Sequence, residues 1–257
     1  MIVSDSMSTP VYVASPSDMV AYARNLMLKR HVSRIPVVDK NRLVGIITKK
    51  DIGYSLQKKG PVWKNRSPDS ALLSSLMTAD PVTVSMGAGV RDAIIIMAGH
   101  DISGLPVIEQ GMVVGIFTKS DVLMADIVCS LSGKVQKYMS PPSLVSEDHS
   151  VDHVIDCMRS GPGKVFVLGS EGNIGGVISE TNLAFYLVRK EIERQKEHDL
   201  KAGDLMTSPV ICIRPDDDIS EAVRLMQLHR ITCVCVTHNG DVKGIVTRDD
   251  IIREVIR

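Results

Sequence analysis

The chain has 257 residues, of which 44% are hydrophobic, and its 30 basic side chains balance 30 acidic ones. A formal charge of zero disfavours broad electrostatic binding to nucleic acid, because that binding depends on clustered excess lysine and arginine. No run reaches the roughly 18 consecutive apolar residues of a transmembrane helix, and the first residues lack a signal-peptide pattern. With five scattered cysteines, which favour reduced thiols, these features predict a cytoplasmic protein without membrane contact.

The first 58 residues predict three short strands and two helices. Met7-Ser8-Thr9-Pro10 opens the segment, and a β-favouring stretch, an amphipathic helix and two apolar strands joined by a polar turn follow. A second helix is predicted to begin at Thr48. The order β-α-β-β-α is typical of a small α+β unit, with both helices on one side of its sheet. The predicted ranges are strand 11–13, helix 18–29, strand 35–38, turn 39–42 and strand 43–47.

The same arrangement recurs four times along the chain. A pattern Gly-x-x-(Thr/Ser)-x-x-(Asp/Asn) begins at Gly45, Gly115, Gly176 and Gly244, at intervals of 61 to 70 residues. This spacing exceeds that of solenoid repeats, so each copy is interpreted as a small domain. Domains of about 60 residues bury little surface alone, and we therefore expect these to pair. Met-(Ser/Thr) opening segments precede the later copies at Met77, Met139 and Met206.

Composition changes predict the boundaries of the four repeats. The polar stretch 58–70 contains two prolines and one glycine, which indicates a linker. The highly charged stretch 189–204 is expected to extend a helix out of repeat 3, either as a solvated spacer or as a helix that docks a partner. The predicted domains are repeat 1 at 1–58, a linker at 59–72, repeat 2 at 73–132, repeat 3 at 133–195 and repeat 4 at 196–257.

The start of the second helix in each repeat is the candidate binding element. The Thr48 hydroxyl and the unpaired N–H groups of a helix start suit an anion, and Lys50 adds positive charge. Asp51 can accept hydrogen bonds from both hydroxyls of a ribose. The same Thr-x-x-Asp spacing is also a capping box, which stabilises a helix start without any ligand. The two interpretations are compatible, because a capping residue can turn to a ligand when one arrives.

With these elements in order, the chain resembles a protein of four tandem cystathionine-β-synthase (CBS) domains. Repeats 1 and 2 carry both the Ile/Leu-Pro-Val strand and the Gly-x-x-Thr-x-x-Asp element. Repeat 4 has Cys233-Val234-Cys235 where Ile-Pro-Val is expected, and repeat 3 has Lys164-Val165-Phe166 and ends its motif in Asn182. The resemblance implies that repeats 1+2 and 3+4 pair into two pseudo-twofold Bateman modules. Such modules commonly bind AMP, ADP, ATP or S-adenosylmethionine, and a disc-like homodimer is expected.

The resemblance also assigns ligand-binding residues, with Thr contacting phosphate and Asp contacting ribose. Each cleft is expected to combine a helix start with the opening segment and the residues before Pro36 of its own repeat, or their equivalents. Arg34 is either a phosphate clamp or an exposed arginine, and both interpretations stay open. The assigned residues are Ser8, Val11, Ser33, Arg34, Pro36, Thr48, Lys50 and Asp51 in repeat 1, Thr78, Val82, Ser103, Gly104, Pro106, Thr118, Ser120 and Asp121 in repeat 2, and Thr207, Val210, Thr232, Thr247 and Asp250 in repeat 4.

Repeat 3 is expected to differ, so Ser179 and Asn182 are doubtful ligand residues. An amide offers one oxygen where a carboxylate offers two, and Glu180 repels phosphate. We therefore predict that this cleft is empty or takes an uncharged group.

No metal or catalytic site is predicted. His149 and His153 lie four residues apart but lack a third ligand at a recognisable spacing. The single histidines His31, His100 and His229 are placed near helix ends, and the pair Cys233 and Cys235 is expected to fill a core.

The predicted function is a non-enzymatic regulatory protein without an obligatory cofactor. It would sense an adenosyl ligand and transmit that signal to an unknown target protein. The alternatives are a ligand-independent interaction scaffold, whose Thr-x-x-Asp motifs only cap helices, and, as the weaker one, a nucleic-acid-binding protein.

Overall fold

A computed structural model describes residues 1–55, 68–123, 131–170, 172–185 and 200–255 of the protein. Its strands are β1 (Arg34–Asp39), β2 (Arg42–Thr48), β3 (Thr78–Ala79), β4 (Val84–Ser85), β5 (Gly104–Glu109), β6 (Met112–Thr118), β7 (Leu144–Ser146), β8 (Lys164–Leu168), β9 (Ile174–Ser179), β10 (Cys212–Ile213), β11 (Cys233–His238) and β12 (Asp241–Thr247). Its helices are α1 (Val20–Arg30), α2 (Lys49–Tyr54), α3 (Val90–Gly99), α4 (Lys119–Leu123), α5 (Val151–Ser160), α6 (180–185), α7 (Ala202–Leu205), α8 (Ile219–His229) and α9 (Arg248–Val255).

Each repeat contributes one antiparallel hairpin to a three-stranded sheet. The sheets have the orders β1-β2-β3, β4-β5-β6, β7-β8-β9 and β10-β11-β12. In repeats 2 to 4 the short first strand pairs in parallel with the hairpin, as at Val84 and Val107. This confirms the predicted α+β order. Repeat 1 differs, because its first strand is reduced to the bridge between Ala14 and Val37, and β3 belongs to the opening segment of repeat 2.

Three of the hairpins close through two residues with positive φ. Lys40 and Asn41 have φ of 45° and 64°, and Asn239 and Gly240 have φ of 54° and 88°. Gln110-Gly111 is similar, at 49° and 79°. Two-residue hairpins require such left-handed geometry, which Asn and Gly adopt at little cost. The predicted turn at 39–42 therefore narrows to its two central residues.

Helix ends account for the three single histidines. His31 is the left-handed C-cap of α1, with φ of 55°, and His100 is the C-cap of α3. His229 is the last residue of α8. A basic side chain near a helix C-terminus interacts favourably with the exposed carbonyl groups. These positions are the helix ends that the sequence predicted.

The first of two compact units comprises residues 1–11, 81–142 and 211–257. It holds repeats 2 and 4 together with the opening segments of repeats 1 and 3. One continuous apolar core fills this unit and includes side chains from each part, such as Val3, Phe117 and Ile251, all 0% exposed. Helices α4 and α9, from the two repeats, pack on each other within it.

The second compact unit comprises residues 12–80 and 143–210. It holds repeats 1 and 3 with the opening segments of repeats 2 and 4. Two separate core clusters lie inside it, one around Met27 and Ile35 and the other around Ile155 and Val167. Each compact unit thus takes one repeat from each half of the chain, which the sequence did not predict. The pairing of neighbouring repeats into modules stays a prediction.

The predicted linker at 59–72 ends in packed structure. Its residues 59–67 lie outside the described part of the chain, whereas Pro68–Ser70 form a short 3-10 turn. Asp69 in that turn forms an ion pair with Arg24 of α1, and both side chains are almost fully buried. A buried guanidinium requires a counter-charge, so this end of the linker is fixed to the helix. Of the charged stretch 189–204, residues 189–199 also lie outside the described residues.

Candidate functional site

The helix start at Thr48 forms a complete capping box. The backbone N–H and the hydroxyl of Thr48 both donate to Asp51 Oδ2, at 2.8 Å and 2.7 Å. The N–H of Asp51 donates to Thr48 Oγ1 at 3.2 Å. Both side chains are half-buried. The capping box predicted from the sequence is therefore present in this conformation. Its hydrogen bonds use only Oδ2 of the Asp51 carboxylate.

Repeats 2 and 4 repeat this geometry closely. Thr118 donates to Asp121 Oδ2 through its N–H and its hydroxyl, both at 2.7 Å. Thr247 donates to Asp250 Oδ2 at 2.8 Å and 2.7 Å. This last pair is buried, with 2% and 6% of each residue exposed, so the helix start of repeat 4 is the least accessible of the three.

The opening segments are exchanged between neighbouring repeats. Ser8, from repeat 1, forms backbone hydrogen bonds of 2.8 Å and 3.2 Å with Ile116 of repeat 2. Thr78, from repeat 2, pairs with Ile46 of repeat 1. The grouping of Ser8 with Thr48, and of Thr78 with Thr118, is therefore wrong, because each segment adds to the edge of the other repeat's hairpin. Ser140 and Thr207 are exchanged in the same way, onto Ile245 and Val177.

The repeated glycine of each motif receives the methionine of the exchanged segment. A Cβ added at Gly115 would lie 2.5 Å from the sulfur of Met7, and one added at Gly176 would lie 2.6 Å from that of Met206. Gly244 is similarly close to Met139, at 2.8 Å, and Gly45 contacts Met77. A larger residue would collide with the incoming segment. The glycine and the methionine of the repeat are thus one structural pair formed across two repeats.

The exchanged serines reach the second oxygen of the helix-start carboxylates. Ser8 Oγ donates to Asp121 Oδ1 at 3.1 Å, and Ser140 Oγ donates to Asp250 Oδ1 at 2.7 Å. Sequence analysis assigned Ser8 to another cleft and missed Ser140, although both follow the repeated methionine. In the part of the chain that the structure describes, Oδ1 of Asp51 accepts no hydrogen bond from the equivalent residue Thr78.

Asn182 uses both ends of its amide inside the protein. Its Oδ1 accepts from the N–H and the hydroxyl of Ser179, at 2.9 Å and 2.7 Å, as the aspartates do. Its Nδ2 donates to the Leu205 carbonyl and to Thr207 Oγ1, both at 2.8 Å. Asparagine therefore preserves the cap. Its Nδ2 takes the place of the second aspartate oxygen and donates hydrogen bonds to the exchanged segment.

The residue before each hairpin lies beside its helix start. The carbonyls of Ser33, Ser103 and Thr232 accept the first helical N–H at 3.0 Å, 3.2 Å and 3.2 Å. In sheet register, Arg34 and Gly104 are the partners of Thr48 and Thr118. The structure therefore brings these predicted residues together. Of the remaining predicted residues, Pro36 and Pro106 are buried in β1 and β5, and Val11, Val82 and Val210 are half-buried.

Charged partners distinguish the helix starts in the first compact unit. Lys119 is largely buried and forms an ion pair with Asp249, and the Ser120 hydroxyl interacts with Arg248. Arg253 lies 3.7 Å from Asp250 Oδ1. Ser120 is therefore engaged by an arginine of repeat 4, which the sequence did not predict.

The helix start of repeat 1 carries two lysines beside aromatic rings. Lys49 Nζ lies 5.0 Å from the centre of the Phe185 ring, and Lys50, which is exposed, lies 5.8 Å from that of Tyr54. Burial lowers the pKa of the Lys49 ammonium group. Among the described residues, neither lysine forms an ion pair, and each ammonium group is held against an aromatic ring.

Metal and membrane features are absent from the part of the chain that the structure describes. The rings of His149 and His153 are tilted by 58° with centres 4.2 Å apart, and no group of three metal-ligand side chains forms there or elsewhere in the described ranges. Within the same ranges, no helix has both the length and the apolar character needed to cross a bilayer.

Comparison with known proteins identifies relatives of all four repeats. A family model described as the CBS domain matches residues 3–56, 73–127, 135–189 and 202–257. An inosine-5'-monophosphate dehydrogenase of Korarchaeum cryptofilum is 35% identical over 113 residues, which are 44% of this chain and 21% of that protein. One from Thermoplasma acidophilum is 25% identical over 199 residues, 77% of this chain and 37% of that protein. The matches thus span less than half the length of these two relatives.

A solved structure resembles the whole chain. Protein MJ1225 from Methanocaldococcus jannaschii superposes with a TM-score of 0.87 at 19% sequence identity, over 99% of both chains. The TM-score shows a common fold, and at 19% identity the likeness shows the fold alone.

Proposed function

The chain belongs to the CBS-domain family, with four copies of the domain, and from this we propose that it is a regulatory protein that binds adenosyl ligands at its helix starts. The ligand class is AMP, ADP, ATP or S-adenosylmethionine, which CBS-domain modules commonly bind. The regulated target protein and a homodimer remain predictions.

One observation carries the proposal. In repeats 2 and 4, a serine from an exchanged segment donates to the helix-start carboxylate, so hydroxyl and carboxylate groups already meet at one place. A ribose hydroxyl is a donor of the same chemical type as this serine. It can take the place of the serine at Oδ1, or bind beside it, because a carboxylate oxygen has two lone pairs. The N–H groups and the threonine hydroxyl at the same helix start favour an anion.

The four helix starts are not equivalent as binding sites. Asp51 keeps Oδ1 available, and Lys49 and Lys50 precede it in the first turn of the same helix. Asp121 and Asp250 must exchange or share a serine hydrogen bond. Asn182 has committed its amide nitrogen to Leu205 and Thr207. We therefore expect repeat 1 to bind a nucleotide with the highest affinity and repeat 3 to bind none.

Signal transmission follows from the exchanged segments. A ligand that competes with Ser8 for Asp121 favours a conformation in which the opening segment of repeat 1 is released from the helix start. Only a difference in ligand affinity between the two conformations shifts their populations. The released segment is the element proposed to report ligand binding to a partner.

The test is calorimetric titration of the full chain, freed of bound nucleotide, with AMP, ADP, ATP and S-adenosylmethionine. Asp51→Asn is the matched variant, because Asn182 shows that asparagine maintains the cap while removing the carboxylate. We expect this variant to weaken binding at repeat 1 by about 10- to 100-fold, the value of hydrogen bonds to a charged acceptor of about 1.5–3 kcal/mol.

Asn182→Ala is the control variant, and it is expected to leave adenosyl binding unchanged. GTP is the control ligand, and it is not expected to bind. Saturable binding that Asp51→Asn leaves unaltered would contradict the assignment of the site. The absence of binding for all four ligands would instead favour the ligand-independent scaffold, in which the motifs serve only as helix caps.

A further inference from the structure

Two cysteines of repeat 4 face each other across neighbouring strands. Cys212 of β10 and Cys235 of β11 are register partners in a parallel pair, so their side chains lie on the same face of the sheet. Adjacent strands lie about 4.8 Å apart, which is within the Cα separation of about 4.4–6.8 Å that disulfides require. Both residues are thiols in this structure, and the backbone needs no rearrangement of register to join them.

This pair is specific to repeat 4. The equivalent partners in repeat 3 are Leu144 and Phe166. In repeats 1 and 2 the first strand pairs at Ala14 with Val37 and at Val84 with Val107. The positions equivalent to the cysteines lie one residue earlier, at Val13 with Pro36 and at Thr83 with Pro106. Core filling explains Cys235, which is 0% exposed, but not Cys212, which is exposed. The strand register places Cys235 at the position that Pro36 has in repeat 1. The sequence comparison of the repeats had placed Val234 at that position.

The two thiols have different reactivities. The hydrogen bond with Cys235, and a further one with Thr237, lowers the pKa of Cys212 to about 7 against the effect of burial. The hydrogen bond with Cys212, together with burial, raises the pKa of Cys235. Because the thiolate is the nucleophile, the exposed Cys212 reacts first. Its conversion to a mixed disulfide removes the negative charge of Cys212, which contributes to the raised pKa of Cys235.

A small molecule has room beside this pair. A pocket of about 560 Å³ is lined by Arg214, Asp216, Asp217, Thr237, His238 and Asn239. Thr237 belongs both to this pocket and to the hydrogen bonds of Cys212. Cys212 itself is exposed, so a solvent-borne reagent can reach its sulfur.

We propose that Cys212 and Cys235 form a reversible redox pair that is oxidised by a low-molecular-weight disulfide. The Cys212 thiolate attacks one sulfur of the reagent, forms a mixed disulfide and releases one thiolate. The Cys235 thiol then loses its proton to solvent or to that thiolate, and its sulfur attacks the sulfur of Cys212. The second reagent sulfur leaves, so the protein loses two electrons to the reagent, which becomes two low-molecular-weight thiols.

The bond would fix the shortest strand of the sheet. Only two residue pairs, Cys212–Cys235 and Ile213–Val236, hold β10 to β11. A covalent link at the first pair prevents β10 from separating from the hairpin. Oxidation is therefore expected to slow amide exchange in β10 and in its partner residues. This device does not require a nucleotide, so its test is independent of the proposed function.

The experiment treats the native full chain with oxidised glutathione at pH 7, quenches it, and maps its peptides without reduction. The expected product is a Cys212–Cys235 link that a reducing agent reverses, while Cys157 remains alkylatable. In the untreated protein, Cys212 should react with iodoacetamide about 3- to 6-fold faster than an ordinary exposed thiol. Its larger thiolate fraction exceeds the loss of nucleophilicity that accompanies a lower pKa.

Variants separate the two roles. Cys235→Ser, or Cys235→Ala if serine disturbs the buried site, should accumulate the mixed disulfide on Cys212. Cys212→Ser should abolish the link, and Cys157→Ser is the control that should retain it. A link to Cys233, the absence of any link in the wild type, or a Cys212 no more reactive than Cys157 would each overturn the proposal. The wild-type measurements decide this even where a variant does not fold.

Discussion

At the scale of single residues, Tyr54 at the end of α2 has a poorly satisfied hydroxyl. Its hydroxyl is buried without a hydrogen-bond partner in the described part of the chain. Burial raises its pKa to about 12, Glu180 contributes in the same direction, and Arg159, 5.0 Å above the ring, opposes it. The ring therefore stabilises the protein through contacts with cations, whereas its buried hydroxyl lowers the free energy of unfolding.

Tyr54→Phe is expected to increase the free energy of unfolding by about 1 kcal/mol, because it removes an unsatisfied buried hydroxyl and retains the ring. Urea denaturation at pH 8 measures this change. Tyr22→Phe is the control, since Tyr22 is 50% exposed, and it should leave stability unaltered. Equal stability of Tyr54→Phe and wild type would show that water satisfies the hydroxyl.

The same pair of proteins should diverge further in alkali. Between pH 10 and about 12 the tyrosine of the unfolded chain loses its proton while folded Tyr54 retains it. The unfolded state then binds fewer protons, so wild-type stability falls as pH rises through this window relative to Tyr54→Phe. Well below pH 10 both states are protonated, and the difference between the two proteins should not depend on pH.

At the scale of elements, the opening segments depend on the packing of methionine against glycine. Each segment adds to the edge of a hairpin through backbone hydrogen bonds, and its methionine covers the glycine of that hairpin. A hairpin edge offers the same backbone groups at many positions, so the methionine–glycine contact helps to fix the register. This explains why Gly45 and its equivalents recur with the opening Met-(Ser/Thr) pairs.

Gly115→Ala is expected to lower the free energy of unfolding by about 1–3 kcal/mol, because the new Cβ collides with Met7 in a packed site. Thermal or urea denaturation checks it. Gly87→Ala is the matched control in the same compact unit, where an added Cβ meets nothing within 4 Å. If both substitutions had equal effects, the contact with Met7 would not be what selects glycine at position 115.

At the scale of the whole molecule, folding units and repeats do not coincide. Residues 1–11 belong to the compact unit of repeats 2 and 4, while the rest of repeat 1 lies in the other unit. Val3 is fully buried in that first core, and its N–H donates to the Ala88 carbonyl at 2.9 Å. The opening segment therefore stabilises a domain to which it does not belong in sequence.

Deletion of residues 1–11 is expected to increase amide hydrogen exchange in β4 to β6 of repeat 2, since it removes Val3 from the core and Ser8 from the edge of β6. Exchange in β1 and β2 of repeat 1 should stay near the wild-type value, and these strands serve as the internal control. Hydrogen exchange detected by mass spectrometry distinguishes the two regions. Faster amide exchange confined to β1 and β2 would contradict the placement of residues 1–11 on repeat 2.

Sequence analysis predicted the features that depend on neighbouring residues. Apolar periodicity and turn residues gave the strand and helix order, and α1, expected at 18–29, is found at Val20–Arg30. The Thr-x-x-Asp spacing gave the helix starts, since a cap forms within one turn of the chain. The ligand-binding roles of these residues stay a proposal.

The tertiary structure alone decided which segments meet. The four opening segments share Met-(Ser/Thr) and a nearby proline, and this common pattern does not specify which hairpin edge each segment joins. Ser8 binds the strand of Ile116, and Cys212 faces Cys235, because of pairings between residues 108 and 23 positions apart. The sequence by itself thus determined the repeats and their local caps, which arise from contacts within a few residues. Packing between distant segments determined the composition of each site, because Val3 and Met7 pack against the core of repeats 2 and 4 and not against their own repeat.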